Sequence, residues 1–191
     1  MTRLDVLVGE IRACTLCSPH LPLGPRPIVQ VHCDAPILIA GQAPGRRVHD
    51  SGVPFADPSG ARLREWMGVT EEAFYDPRLI AILPMGFCFP GSGPSGDAPP
   101  RPECAETWRA RVLRELTKVR LTLVLGRYAQ AYHLKTDGGV TETVSAWRDH
   151  WPDLLPLPHP SPRNRGWFKQ NPWFDAEVVP ALRQRVAEVL G

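Results

Sequence analysis

The chain has 191 residues, 22 basic and 20 acidic side chains, a formal net charge of +2, and 43% hydrophobic residues including six tryptophans. That apolar content suffices for a packed interior, and the length fits one domain over 1–191, since single cores run to roughly 200 residues before splitting. No stretch approaches the roughly 18 apolar residues of a membrane helix, and Asp5 and Glu10 interrupt the apolar start. We therefore expect neither a membrane span nor a secretory leader, but a cytoplasmic, monomeric protein.

In chain order, Leu4, Leu7 and Ile11 recur at helical spacing and lead into a Cys14-Thr15-Leu16-Cys17 pair. A first apolar run, Pro36 to Ala40 (PILIA), reads as a strand and is followed by the glycine-bounded turn Gly41-Gln42-Ala43-Pro44-Gly45. Leu63, Trp66 and Met67 mark a helix with Ser59 as its expected cap. A second strand is expected at Leu79 to Leu83 (LIAIL). Pro90 to Pro102 (PGSGPSGDAPPRP) has the composition of a linker, but Cys88 and Cys104 flank it, so it is read as a loop folded back on one domain. Beyond Pro102 and Glu103, the residues Trp108, Val112, Leu113 and Leu116 predict a helix whose arginines, Arg109, Arg111 and Arg114, form a solvated face.

Leu121 to Leu125 (LTLVL) is the third expected strand. Leu154 to Leu157 (LLPL) is the fourth, and Pro156 argues against a central place for it because proline has no N–H for a ladder. The turn Pro158-His159-Pro160-Ser161-Pro162-Arg163-Asn164 follows, stiffened by alternating prolines. Val178, Leu182, Val186 and Leu190 line a last helix, with Pro180 kinking it or marking its first turn. Apolar runs alternating with helical segments indicate an α/β fold: a three-layer α/β/α sandwich around a largely parallel four-stranded sheet. In such sheets ligands bind where strands end at their carboxyl side. The net charge alone does not announce nucleic acid, but the loop arginines Arg46, Arg47, Arg163 and Arg165 are placed to contact phosphate. Trp66, Trp108 and Trp147 read as core. Trp167, Phe168, Trp173 and Phe174 are interleaved with Arg165, Lys169 and Asn171, a pattern suited to stacking on bases, with packing of at least Trp173 and Phe174 under the last helix as the alternative.

The GQAPG and HPSPRN turns, one after the first strand and one after the last, resemble motifs A and B of the uracil-DNA glycosylase superfamily. Ser51-Gly52-Val53-Pro54-Phe55 resembles that family's TGRPF segment, and the resemblance spans nearly the whole chain. It implies a DNA glycosylase that removes uracil or another deaminated base from a flipped nucleotide. In that reading the loop at Gly41, Gln42 and Ala43 binds a pyrimidine carbonyl, Phe55 stacks on the ring, and Met85 and Asn164 line the base site. His159 donates to the developing oxyanion. Ser161, Arg163, Arg46 and Arg165 hold DNA, Arg163 lying where the superfamily often has a wedge. Cys14 and Cys17, with Cys88 and Cys104, match the layout of the iron–sulfur branch (families 4 and 5) and imply a [4Fe-4S] cluster, with zinc as the alternative soft-ligand group. Cys33 is left over as a small hydrophobe.

Two positions depart from the family. The aspartate of GQDPY that orients water is replaced by Ala43; His49, Asp50 and Asp57 lie nearby, each either a substitute that positions water or a solvated turn residue or helix cap. The asparagine with which family 4 reads uracil corresponds to Pro84, followed by Met85. These departures leave open a second reading, a member that binds damaged DNA without turnover. A third is a small metalloprotein whose loops take a free nucleotide.

Overall fold

The computed structural model describes residues 2–94 and 96–191. Helix α1 (Arg3–Arg12) opens with a capping box, Thr2 and Asp5 each accepting the other's backbone N–H. Strand β1 (Ile37–Ala40) leads into α2 (Arg46–Ser51), α3 (Pro58–Met67) and α4 (Glu71–Tyr75), then β2 (Ile80–Ile82). A two-stranded hairpin, β3 (Ser92–Gly93) and β4 (Gly96–Asp97), precedes a continuous helical stretch. That stretch comprises α5 (Pro102–Cys104), a π-helical segment (Ala105–Arg109) and α6 (Ala110–Glu115). After β5 (Leu121–Leu125) come α7 (Gly126–Leu134), α8 (Val140–Ser145) and β6 (Leu154–Leu157), then α9 (Arg165–Gln170), a π turn (Phe174–Val178) and α10 (Val179–Leu190).

The four expected strands form one all-parallel sheet in the order β2-β1-β5-β6. Its side chains alternate between faces, as period two requires. Ile37, Ile39, Ile80, Ile82, Leu121, Leu123, Leu125, Leu155 and Leu157 point to one face, where α3 and α10 cover them with Leu63, Trp66, Met67, Leu182 and Val186. Leu38, Ala81 and Leu83 point to the other, under Leu4, Leu7 and Ile11 of α1 and Val112 of α6. Ala40 and Val124 meet Ala129 of α7 on that second side. Helices on both faces of a parallel sheet make the three-layer sandwich. Among the described residues, no helix is long and apolar enough to cross a membrane.

Several local expectations are corrected. Helix α3 is capped by Asp57, whose Oδ1 accepts from the Gly60 N–H at 2.9 Å, while Ser59 is a buried residue of its first turn. Pro58 occupies the first helical position, where its missing N–H costs nothing. Pro180 sits in the first turn of α10, the second of its two expected places, with the π turn ahead of it. Arg109 is not on a solvated face: it is wholly buried, because carbonyls at the end of β2 accept from its guanidinium. The segment from Trp167 to Phe174 does not present a stacking platform. Its four rings form an edge-to-face cluster, joined through Phe168 and Phe174 to Trp66, and pack on the first core, with Phe174 fully buried.

Candidate active site

The carboxyl ends of β1 and β6 face one cavity of about 670 Å³. The loop after β1 is fixed by main-chain bonds: Met85 N–H donates to the Gly41 carbonyl at 2.8 Å, and Gly86 N–H to the Gln42 carbonyl at 2.9 Å. Gly41, Gln42, Ala43, Pro44 and Gly45 line one wall, and His159, Ser161, Arg163 and Asn164 line another. The structure thus brings both motif loops to one space.

Phe55 is the aromatic wall. Its φ of +55° is a left-handed conformation that side chains rarely adopt, and it is held by packing. A Cβ on Gly60 would lie 1.9 Å from the Phe55 carbonyl oxygen, so only glycine permits this turn. The ring meets Phe74 edge-on at 6.1 Å and 85°, and its tip lies 3.7 Å from where a Cβ on Gly41 would be.

His159 is oriented from its own loop. Its Nδ1 accepts from the Ser161 N–H at 3.2 Å, which leaves the proton of the neutral ring on Nε2. Burial lowers its pKa below the ordinary histidine value, and Arg163 acts in the same sense, while Asp57 and Asp97 oppose them. Desolvation of the charged form dominates, so the ring is a neutral Nε2–H donor at neutral pH. Asn164 donates from Nδ2 to the His159 carbonyl at 2.7 Å, which clasps the loop, and the Ser161 hydroxyl accepts from the Arg163 N–H at 3.2 Å.

Other expected residues fall elsewhere. Met85 does not line the cavity: it is 6% exposed and packs with Ala40, Val124 and Ala129, and Pro84 takes its place in the wall. Arg46 and Arg47 stand at the cavity rim, Arg46 paired with Asp50 at 3.1 Å, whereas Arg165 starts α9 outside the lining. His49 is buried on α2 beside Phe89, away from the lining; Asp57 does line the cavity. Sequence reasoning missed Ser92, Gly96 and Asp97, which reach the cavity from the β3–β4 hairpin. Gln42 holds this hairpin by donating from Nε2 to the carbonyls of Ala98 at 2.9 Å and Asp97 at 3.4 Å. Its side chain is therefore spent on the loop and not directed at a ligand.

A second, small cavity gathers Cys14, Cys17, Cys88 and Cys104, walled by Leu21, Pro25, Pro27, Phe87 and Trp108. Burial pushes the Cys88 thiol up to about 11 and the Cys104 thiol up to about 12. The backbone at Arg26 and at Phe87 counters part of that rise at Cys88 and Cys104 respectively. Four cysteines and apolar walls around one small cavity fit the donor set of a soft-metal centre such as an iron–sulfur cluster. Arg26 also donates to the carbonyls of His49 and Asp50, bracing the end of α2. Cys33 is half-buried against the second core; with His32 and Asp34 it forms a compact donor trio within 4.8 Å.

Two motif loops at the carboxyl edge of a parallel sheet, a histidine donor and an aromatic wall are the features by which a DNA glycosylase holds a base. The family model of the Uracil DNA glycosylase superfamily matches residues 29–183, and the chain belongs to that superfamily.

Proposed function

We propose that the protein excises uracil or another deaminated base from DNA by hydrolysing its N-glycosidic bond. The observation that carries this reading is His159 Nε2–H, fixed by the Ser161 N–H on Nδ1, in one cavity with Phe55 and the Gly41–Gly45 loop. A flipped base stacks on Phe55 while the loop binds a carbonyl oxygen. As the bond to the sugar breaks, the base takes the electron pair and its oxygen gains charge, which a preorganised neutral donor stabilises without being consumed as an acid. Ser161 and the turn at Pro162 hold the adjoining phosphate, and Arg163, Arg46 and Arg47 attract the backbone.

The four cysteines hold a [4Fe-4S] cluster in this reading, zinc being the alternative. Such a group, held by these cysteines, would crosslink residues 14–17 to the ends of the 88–104 loop. The cavity is the active site of a single domain.

Base release from oligonucleotides carrying uracil, hypoxanthine or xanthine tests the function. Free base from one of them is expected, and none from any, with folded and fully loaded protein, overturns it. Ala43 and Pro84 favour a second reading, capture of damaged DNA without turnover: both line the cavity and neither carries a polar side chain. Tight binding of uracil or abasic DNA without base release selects that reading.

A further inference from the structure

We propose that Asp97 is the catalytic carboxylate of this site, orienting the attacking water and taking its proton in place of the aspartate that Ala43 lacks. The inference rests on the glycosylase reading and adds to it a residue from a segment outside both motif loops.

The support is geometric. Asp97 ends β4, and the hairpin is docked through main-chain atoms. Gln42 holds the carbonyls of Asp97 and Ala98, and the Ala98 N–H donates to the Gly91 carbonyl at 2.8 Å. Docking by the backbone leaves the carboxylate available for chemistry. That carboxylate returns to motif A: a Cβ on Gly45 would lie 3.2 Å from Asp97 Oδ2, two residues along from Ala43. Oδ1 accepts from the Ser92 hydroxyl at 3.3 Å, while Oδ2 accepts no hydrogen bond among the described residues. Asp97 and His159 line the same cavity, so one site offers both a carboxylate and an oxyanion donor.

Asp57, the other carboxylate of the wall, is differently committed, because its Oδ1 caps α3. The chemistry balances without any further reactant. A water oxygen bonds to the anomeric carbon as the carbon–nitrogen bond breaks, the pair leaves on the base beside His159, and the water proton passes to the Asp97 carboxylate.

Single-turnover base release by the full-length protein, on whichever of the uracil, hypoxanthine and xanthine oligonucleotides the wild type cleaves, provides the test. Asp97→Asn is expected to lower the rate by about 100-fold or more, with abasic-DNA binding and the melting curve unchanged, since the hairpin's anchors are carbonyls. Formate is expected to restore part of the rate to Asp97→Ala. The inference is overturned by an Asp97→Asn rate within about threefold of wild type, or by a loss that formate leaves unrescued and that tracks a loss of melting temperature. Wild-type protein inert on every substrate removes the excision reading itself. Active wild type beside an equally active Asp97→Asn removes only this inference.

Discussion

Arg109 donates from Nη1 to the carbonyl of Pro84 at 2.8 Å, so the helical stretch that carries Cys104 touches the wall of the base cavity through one buried side chain. The same Nη1 bonds the Leu83 carbonyl at 2.7 Å, and Nη2 lies 2.7 Å from His133 Nε2. Burial lowers the guanidinium to about 10, still charged at neutral pH. It also drives His133 down to about 3, with the neighbouring Arg109 charge adding to the effect, so the imidazole is a neutral acceptor.

Replacing Arg109 strands those acceptors. Arg109→Met is expected to destabilise the fold by about 2–4 kcal/mol, because two buried carbonyls lose their donor. Arg109→Lys, which keeps one ammonium in reach, should cost less. Urea unfolding of the two variants beside wild type measures the difference, and an unchanged midpoint for Arg109→Met would contradict the brace.

His133 makes stability depend on pH. Its folded pKa of about 3 lies below the 6.5 of an exposed histidine, so between these values the unfolded chain holds the proton and the folded chain does not. The stabilising contribution is complete above pH 6.5 and declines as pH falls from there toward 3, by about 1–2 kcal/mol between pH 6.5 and 5. His133→Gln keeps an acceptor for Arg109 and removes the titration. Its unfolding free energy should vary less over that interval, which denaturation at stepped pH will show.

Gly60 holds no spare room. A methyl group there meets the Phe55 carbonyl oxygen at 1.9 Å, and backbone must move to admit it. Gly60→Ala is expected to cost about 3 kcal/mol and to displace Phe55, weakening abasic-DNA affinity less than base release. Thermal melts and single-turnover rates read the two effects separately.

His159→Ala should lower base release by about 10²–10³-fold while leaving the fold intact, the range for loss of one oxyanion donor. The ring accepts from Ser161 but supports no core cluster. Comparable rates for wild type and variant would remove His159 from the mechanism.

Each of Cys14→Ser, Cys17→Ser, Cys88→Ser and Cys104→Ser is expected to lower bound metal, and Cys33→Ser to leave it unchanged. Iron, acid-labile sulfide and zinc contents of the purified variants distinguish the cluster from zinc, and equal metal in all five would dismiss a four-cysteine centre.

The sheet was readable because its four runs are apolar on both faces, the signature of buried parallel strands, and the two motif loops followed from the strand ends. Met85 was misplaced by one position: the chain turns inward after Pro84, and its long apolar side chain found the core. Asp97 was invisible because Ser92, Gly93 and Gly96 carry no strand preference, and the hairpin is docked by a glutamine 55 residues away from Asp97 and 56 from Ala98. Arg109 looked like any helical surface arginine. Only carbonyls brought close by β2, with a π turn altering the helix register, make its burial tolerable.

Pro156 closes one margin of the sheet. The Thr122 N–H donates to the Asp153 carbonyl at 2.8 Å, and strand alternation then turns the N–H groups of Leu155 and Leu157 toward β5 and the proline nitrogen outward. At the opposite margin Gln30 makes a reciprocal bridge with Ile82 at 3.0 and 2.6 Å. A foreign segment seeking to extend the ladder meets a missing donor on one flank and an occupied one on the other, so the fold guards itself against edge-to-edge polymerisation.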